Sequence, residues 1–297
     1  MISLNNVTTV SDLSIYWLVN YAKERKSPSS IKRDHGILKN YVLPQYGNKS
    51  FKSLKASEVE AWLGSLLSKR GISKKSANDI LILFNKIMND AVRWDLILSN
   101  PLTKVTRFKT EQKEFGFWKQ HEAKRFLGSA IGDKKTPRIY LPVAIALYTG
   151  MRRGEIQSLQ WKDINERSGL ITVQRSYCRV SNKTKETKSK KIRYIPISLS
   201  FMGILQKFKK EQNSELVVPF FNPDYYRKDF INYSKRLKLP IIRFHDLRHT
   251  FASNFLMGGG NIYDLQKILG HSTIQMTERY LHLVPSHLKG KTEVLGF

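Results

Sequence analysis

The chain has 297 residues and 41% hydrophobic content, enough for two domains, each with its own core. Lys and Arg number 51 against 24 Asp and Glu, a formal charge of +27 with pI ≈ 10.1, and so large a positive excess points to a polyanionic partner, nucleic acid first. A single cysteine, Cys178, excludes an intramolecular disulfide and a cysteine-based zinc cluster; the start, MISLNNVTTVSDL, does not read as a signal peptide, and the longest apolar run, YLPVAIALYTGM, is too short to span a bilayer, so an intracellular, cytoplasmic setting is expected.

Residues 9–100 are predicted to be helical. Val59, Trp62, Leu63, Leu66 and Leu67 recur at one-face spacing, as do Ile80, Phe84, Ile87, Met88 and Ala91. SNPLTKV stops that pattern, because Pro101 disfavours helical backbone at Asn100. Residues 1–100 are therefore expected as one domain and the charged, weakly periodic residues 101–116 as a basic linker.

The second part opens with a helix over WKQHEAKRFL. A longer one is predicted from Arg138 to Tyr148, ending at Thr149-Gly150, and another over RRGEIQSLQW. GLITVQRSYC alternates and is rich in β-branched residues, so it reads as a strand; SNKTKETKSKK reads as a polar turn and IRYIPIS as the returning strand. From Ser200 onward the pattern is helical again, broken at Pro219, Pro240 and Gly258-Gly259-Gly260. No internal repeat is present.

Three stretches carry candidate chemistry. In YTGMRRGEIQSL, Gly150 can end one helix, Arg152 stands at the start of the next, and Glu155 can hold its guanidinium, which makes an anion site. In FHDLRHTFASNFL, His245 and Arg248 share a helix face while Leu247, Phe251 and Phe255 form the apolar stripe. His249 lies four residues beyond His245, but a metal pair is disfavoured: a third ligand is missing, HExxH is not matched, and Arg248 would repel a cation. In LQKILGHSTIQMTERY, Gly270 can cap a helix, leaving His271 in a loop and Tyr280 nine residues further on. Taken alone, Tyr280 reads as a packed aromatic.

Together, TGMRRGEI, HDLRHTFAS and LGHSTIQMTERY, in that order, resemble the tyrosine recombinases, or phage integrase family, over about residues 115–290. Residues 9–100 resemble that family's helical core-binding domain. The resemblance implies a mainly α fold with a small antiparallel β-sheet: a SAM-like core-binding domain at 1–100, the linker at 101–116, a mixed α+β catalytic domain at 117–290 and a C-terminal tail at 291–297. It implies Arg152, His245, Arg248 and His271 as the catalytic cluster, Glu155 as its support and Tyr280 as the nucleophile. The family's catalytic Lys lies on a β-hairpin ahead of a strand ending in proline. Distance to Pro196 makes Lys188 the best match, with Lys185 and Lys190 as alternatives.

The residue types suit the chemistry. Two guanidiniums can neutralise a phosphodiester and stabilise the charge of its transition state. A phenol of ordinary pKa is ionised in only about one molecule in a thousand at neutral pH, so Tyr280 needs cations and a base. A Lys can protonate the leaving 5′-oxygen. The resemblance implies a 3′-phosphotyrosyl intermediate, no ATP, no cofactor and no metal. It also implies double-stranded DNA as partner, a tetramer on two sites, and room for a directionality factor or host DNA-bending protein. Candidate phosphate contacts are Lys74, Lys75, Lys104, Arg107 and Lys109. Val294, Leu295 and Phe297 in the stretch 283–297 suit a tail that docks on a neighbouring subunit.

The expected function is site-specific recombination for a prophage or mobile element. The alternatives are a Xer-type chromosome-dimer resolvase, a non-catalytic DNA-binding protein on the same fold, and a type IB topoisomerase. Many family integrases carry an arm-binding domain ahead of the core-binding one; here about ten residues precede the first predicted helix, a departure from that pattern.

Overall fold

The computed structural model describes residues 4–111, 115–130, 137–178, 180–181, 183–186, 192–211, 213–219 and 223–281. The chain forms two compact units, Met1–Lys113 and Glu114–Phe297. Among the described residues no helix is long and apolar enough to cross a membrane.

The first unit is helical. Helix α1 (Val10–Tyr16) starts in a capping box: Thr9 Oγ1 accepts the Asp12 N–H at 3.1 Å and the Asp12 carboxylate accepts the Thr9 N–H at 2.9 Å. Its helical run continues through Trp17–Ala22 and Lys23–Arg25. Helices α2 (Pro28–Ile37), α3 (Ala56–Arg70) and α4 (Lys74–Arg93) follow. The periodic residues form the core as expected: Val59, Trp62, Leu63 and Leu66 of α3 are buried against Ile80, Phe84, Ile87, Met88 and Ala91 of α4, with Leu67 packed beside them. Gly71 ends α3 in a left-handed turn (φ 60°), and Ser73 caps α4.

The segment expected as a linker begins as part of this unit. Pro101–Lys104 form a short helix whose Leu102 is fully buried, and Val105 is buried next to it. Asn78 fastens the stretch beyond: its amide donates to the Phe108 carbonyl at 2.9 Å and its Oδ1 accepts the Phe108 N–H at 2.9 Å. Charge hid two apolar side chains that the core needs.

In the second unit, α5 (Gln120–Ala130) and α6 (Pro137–Thr149) are followed by the short α7 (Arg153–Gln157). Helix α6 buries every residue from Ile139 to Ala146, so it is the central helix expected from its unbroken apolar run. Strands β1 (Ile164–Asn165) and β2 (Leu170–Val173) come next, then β3 (Arg175–Cys178), β4 (Lys183–Glu186) and β5 (Arg193–Pro196). β1, β2 and β5 form an antiparallel sheet with Ile171 opposite Ile195, while β3 and β4 form a separate antiparallel pair with Ser176 opposite Lys185.

Here the structure departs from two expectations. The single strand read over GLITVQRSYC changes partner at Gln174, where buried Asp163 accepts bonds from the side chains of both Gln174 and Arg175. Part of the expected polar turn is strand β4, a paired segment without the apolar alternation that marks strands in sequence.

Helices α8 (Leu199–Glu211), α9 (Pro223–Arg236), α10 (Asp246–Met257), α11 (Ile262–Leu269) and α12 (Gln275–Glu278) complete the unit. The predicted breaks at Pro219, Pro240 and Gly258-Gly259-Gly260 all fall between helices. Trp118 anchors the start of the unit, donating its indole N–H to the Pro240 carbonyl at 2.8 Å and its backbone N–H to Thr250 Oγ1 at 3.0 Å.

Candidate active site

The site is built where three helix boundaries meet. At the first, α6 stops because Gly150 turns left-handed (φ 63°); a Cβ there would lie 2.5 Å from Phe251 and 2.8 Å from Leu269, so the position demands glycine on two counts. Arg152 then stands in extended backbone just before α7. Glu155, one turn in, accepts the Arg152 backbone N–H at 2.7 Å and its Nη1 at 3.1 Å. A guanidinium has no acceptor to return the bond, so Glu155 alone does the capping.

Arg193, the first residue of β5, reaches the same carboxylate with both terminal nitrogens, at 2.9 and 2.6 Å, and donates Nε to the Ile268 carbonyl at 2.8 Å. Burial pushes the Glu155 pKa up. The Arg193 hydrogen bonds, then the charges of Arg193 and Arg152, outweigh it and hold the pKa below the ordinary glutamate value. Glu155 is thus a buried anion that fixes two arginines.

At the second boundary, α10 lays Leu247, Ala252 and Leu256 into the core and carries Arg248, only 3% exposed, on the same buried side. Arg248 donates Nη1 to the Gly150 carbonyl and Nη2 to the Leu269 carbonyl, each at 2.7 Å, tying the ends of α6 and α11 together. Burial, then the charge of Arg152, pushes its pKa down to about 9, which leaves it protonated at neutral pH. His245 precedes α10 and keeps an exposed edge; desolvation of the rest of the ring, then Arg248, lowers its pKa.

At the third boundary, α11 ends at Gly270 (φ 64°), where a Cβ would lie 2.8 Å from Arg193 Cδ. The Gly270 carbonyl accepts Arg152 Nη2 at 3.4 Å. His271 follows, its Nδ1 hydrogen-bonded to Thr277 Oγ1 at 2.9 Å. Burial, then Arg248 and Arg152, pushes its pKa down to about 3, so it is neutral across the physiological range. Tyr280 lies beyond α12, 1% exposed, its ring edge-on to Phe115 at 5.2 Å and its hydroxyl 2.7 Å from His249 Nδ1. Burial raises its pKa, against the lowering effect of Arg248, Arg279 and Arg152.

The structure therefore draws Arg152, Glu155, Arg248 and His271 to one turn, with His245 just ahead of Arg248 and Tyr280 within the field of the same arginines. Lys188 and Lys190 lie outside the described residues, as does the expected docking tail from 283 onward. Lys185 is on β4, opposite Ser176. Lys74, Lys75, Lys104, Arg107 and Lys109 are all exposed on the first unit. Because Asn78 holds Phe108, Arg107 and Lys109 lie beside the helix that Lys74 and Lys75 open.

Sequence reading missed Arg193 and His249. Arg193 had a signal: it shares a strand face with buried Ile195, and a charged residue on the core face of a strand needs a buried partner. His249 was visible only as half of a metal pair. Its ring instead stacks on Phe115 at 4.5 Å, stands edge-on to His245, and commits Nδ1 to Tyr280.

Residues 117–287 match the profile described as "Phage integrase family", and residues 9–67 match "Phage integrase, N-terminal SAM-like domain". The chain is 36% identical over 191 residues to the integrase of Haemophilus phage HP1, covering 64% of this chain and 50% of that protein. It is 29% identical over 291 residues to the ICEBs1 integrase of Bacillus subtilis, covering 90% of this chain and 77% of that one. Its fold is similar to that of a Tn1549 transposon integrase in complex with transposon right end DNA, at a TM-score of 0.80 and 21% identity over 97% of this chain and 100% of the other. The chain thus spans half the length of the HP1 relative.

Proposed function

The chain belongs to the phage integrase family, and on that footing we propose that it is a site-specific DNA recombinase of a phage or mobile element. The observation that carries the reading is the junction of Arg152, Arg248 and His271 at the Gly270 turn, with the Tyr280 hydroxyl in the field of both arginines. Its relatives in a phage and in ICEBs1 favour a mobile element over a chromosome-dimer resolvase.

In this mechanism the scissile phosphate binds with its non-bridging oxygens toward Arg152 and Arg248. Both guanidiniums are held in place beforehand, Arg152 by Glu155 and Arg248 by two carbonyls, so little reorganisation remains as charge builds in the transition state. His271 and His245, neutral with depressed pKa values, act as hydrogen-bond donors to that charge rather than as fixed cations. Tyr280 Oη attacks phosphorus and the 5′-oxygen leaves, giving a 3′-phosphotyrosyl enzyme that keeps the phosphodiester energy. Attack by a 5′-hydroxyl from a second duplex reverses the step and joins the strands. Exchange of four strand ends calls for four such tyrosines, hence a tetramer on two DNA sites, with the exposed lysines and arginines of the first unit on the phosphate backbone.

Lys188 is proposed as the acid that protonates the leaving oxygen. Lys188→Ala should slow cleavage of ordinary DNA about 100-fold or more, while DNA with sulfur at the 5′-bridging position, which leaves without protonation, should be cut at close to the unaltered rate. The same rescue in Lys185→Ala or Lys190→Ala, and not in Lys188→Ala, would move the assignment. A two-site recombination assay separates the recombinase from a topoisomerase, which would relax supercoils without joining two sites.

A further inference from the structure

The phenol of Tyr280 must lose a proton as it attacks, and its pKa is raised rather than lowered by burial. The group in contact with its oxygen is not one that the motifs nominate. His271 Nδ1 is bonded to Thr277, Glu155 is engaged by Arg152 and Arg193, and Asp246 is engaged by Arg243. His249 Nδ1 lies 2.7 Å from Tyr280 Oη, inside the second unit's own core.

We propose that His249 is a catalytic residue, the general base that accepts the Tyr280 proton at Nδ1. The proposal rests on the recombinase reading and adds the proton's destination to it. As the Oη–P bond forms, the phenolic proton moves to Nδ1, giving an imidazolium. The P–O5′ bond breaks with its electron pair, and the 5′-oxygen takes a proton from the separate acid. On rejoining, the incoming 5′-hydroxyl returns its proton to that acid and the imidazolium returns its own to Tyr280 Oη, so protons and charge balance over the cycle.

Three features fit His249 to this role. Its ring is held by stacking on Phe115 and by the helix that carries Arg248, so base and phosphate-binding arginine move as one body. Burial first, then the charges of Arg279, His245 and Arg248, with Asp246 opposing, push its pKa down to about 4, so it is unprotonated and able to accept at any working pH. Such a group is a weak base in the free protein. A bound phosphodiester brings negative charge beside Arg248, offsetting a cation that suppresses the imidazolium, so basicity rises when substrate is in place.

The test is His249→Asn, whose Oδ1 can take the place of Nδ1 as a hydrogen-bond acceptor but cannot take the proton. Single-turnover cleavage of a nicked suicide DNA is measured from pH 6.5 to 9.5 and expressed as the ratio of unaltered to variant rate, which cancels titration of groups that act alike in both, His245, Asp246, Arg248 and Arg279 included, and leaves the ionisation of Tyr280 as the difference. The expected ratio is about 100 at pH 7, typical of losing a general base, and it shrinks by about tenfold per pH unit as the variant comes to rely on the ionised phenol. DNA binding is unchanged. In His249→Ala, added imidazole should restore part of the rate, which keeps the test open if the Asn variant folds poorly. Equal rates at every pH, or a deficit that does not vary with pH and resists imidazole, would overturn the proposal and leave the contact as the place where the phenol rests. If the unaltered chain forms no covalent adduct, the recombinase reading fails as well, so the two failures are distinct.

Discussion

Tyr280→Phe should bind DNA with unchanged affinity and form no covalent adduct on a nicked suicide substrate. The substitution removes one oxygen. The ring still meets Phe115 edge-on and still fills its place among Ala252, Leu256, Leu265 and Leu269. His249 Nδ1 loses its partner in a buried setting, which costs about 1–2 kcal/mol of stability, well short of unfolding a domain. A Tyr that served only as core would lose the same stability and keep its chemistry. A melting curve and an adduct assay on the same preparation separate the two cases.

Arg248→Ala is expected to lose more on both counts. Its guanidinium donates to the Gly150 and Leu269 carbonyls at 2.7 Å each, from a position 3% exposed. Removing it leaves two buried carbonyls unmet and a cavity beneath them, for about 3 kcal/mol; relief of repulsion from Arg152 and Arg193 returns a smaller part. Cleavage should fall about 1000-fold, the scale of losing a preorganised charge from a transition-state site. Arg248→Lys tests the geometry apart from the charge. An ammonium lacks the planar fork by which Arg248 meets two carbonyls and still faces a phosphate, so most of the cleavage defect should remain while much of the stability returns. Recovery of both together in the Lys variant would mean that Arg248 acts as charge alone.

What could be read in the sequence was what is local along it. Arg152, Glu155, Arg248, His271 and Gly270 all sit at helix ends, where a stop, a cap and the next start are written within a few residues, so their spacing conveys their placement. The core faces of α3 and α4 were legible for the same reason. What could not be read depends on partners far along the chain. Arg193 meets Glu155 across 38 residues, and His249 meets Tyr280 across 31, contacts that no helical period encodes. Strand β4 was hidden because its pairing with β3 uses backbone groups, while its side chains, Lys-Thr-Lys-Glu, carry the composition of a turn. Leu102 and Val105 were hidden by the charges around them.

Arg193 also changes how Glu155 is understood. From sequence, Glu155 supports Arg152. In the fold it is the common anion of two arginines, and Arg193 in turn holds the Ile268 carbonyl one turn before His271. The carboxylate therefore sets the spacing between the α7 start and the α11 end, the two edges of the anion site.

The central claim is that Tyr280 is the atom donor to the covalent bond, and its most direct test is to locate that bond. The unaltered protein is trapped on a nicked suicide DNA, digested with nuclease and protease, and the peptides are sequenced by mass spectrometry. The account predicts a 3′-linked nucleotide on the peptide containing Tyr280 and no other modified residue. An adduct on a different residue, such as the exposed Tyr263 on α11, or no adduct under conditions where the protein holds the DNA, would contradict it.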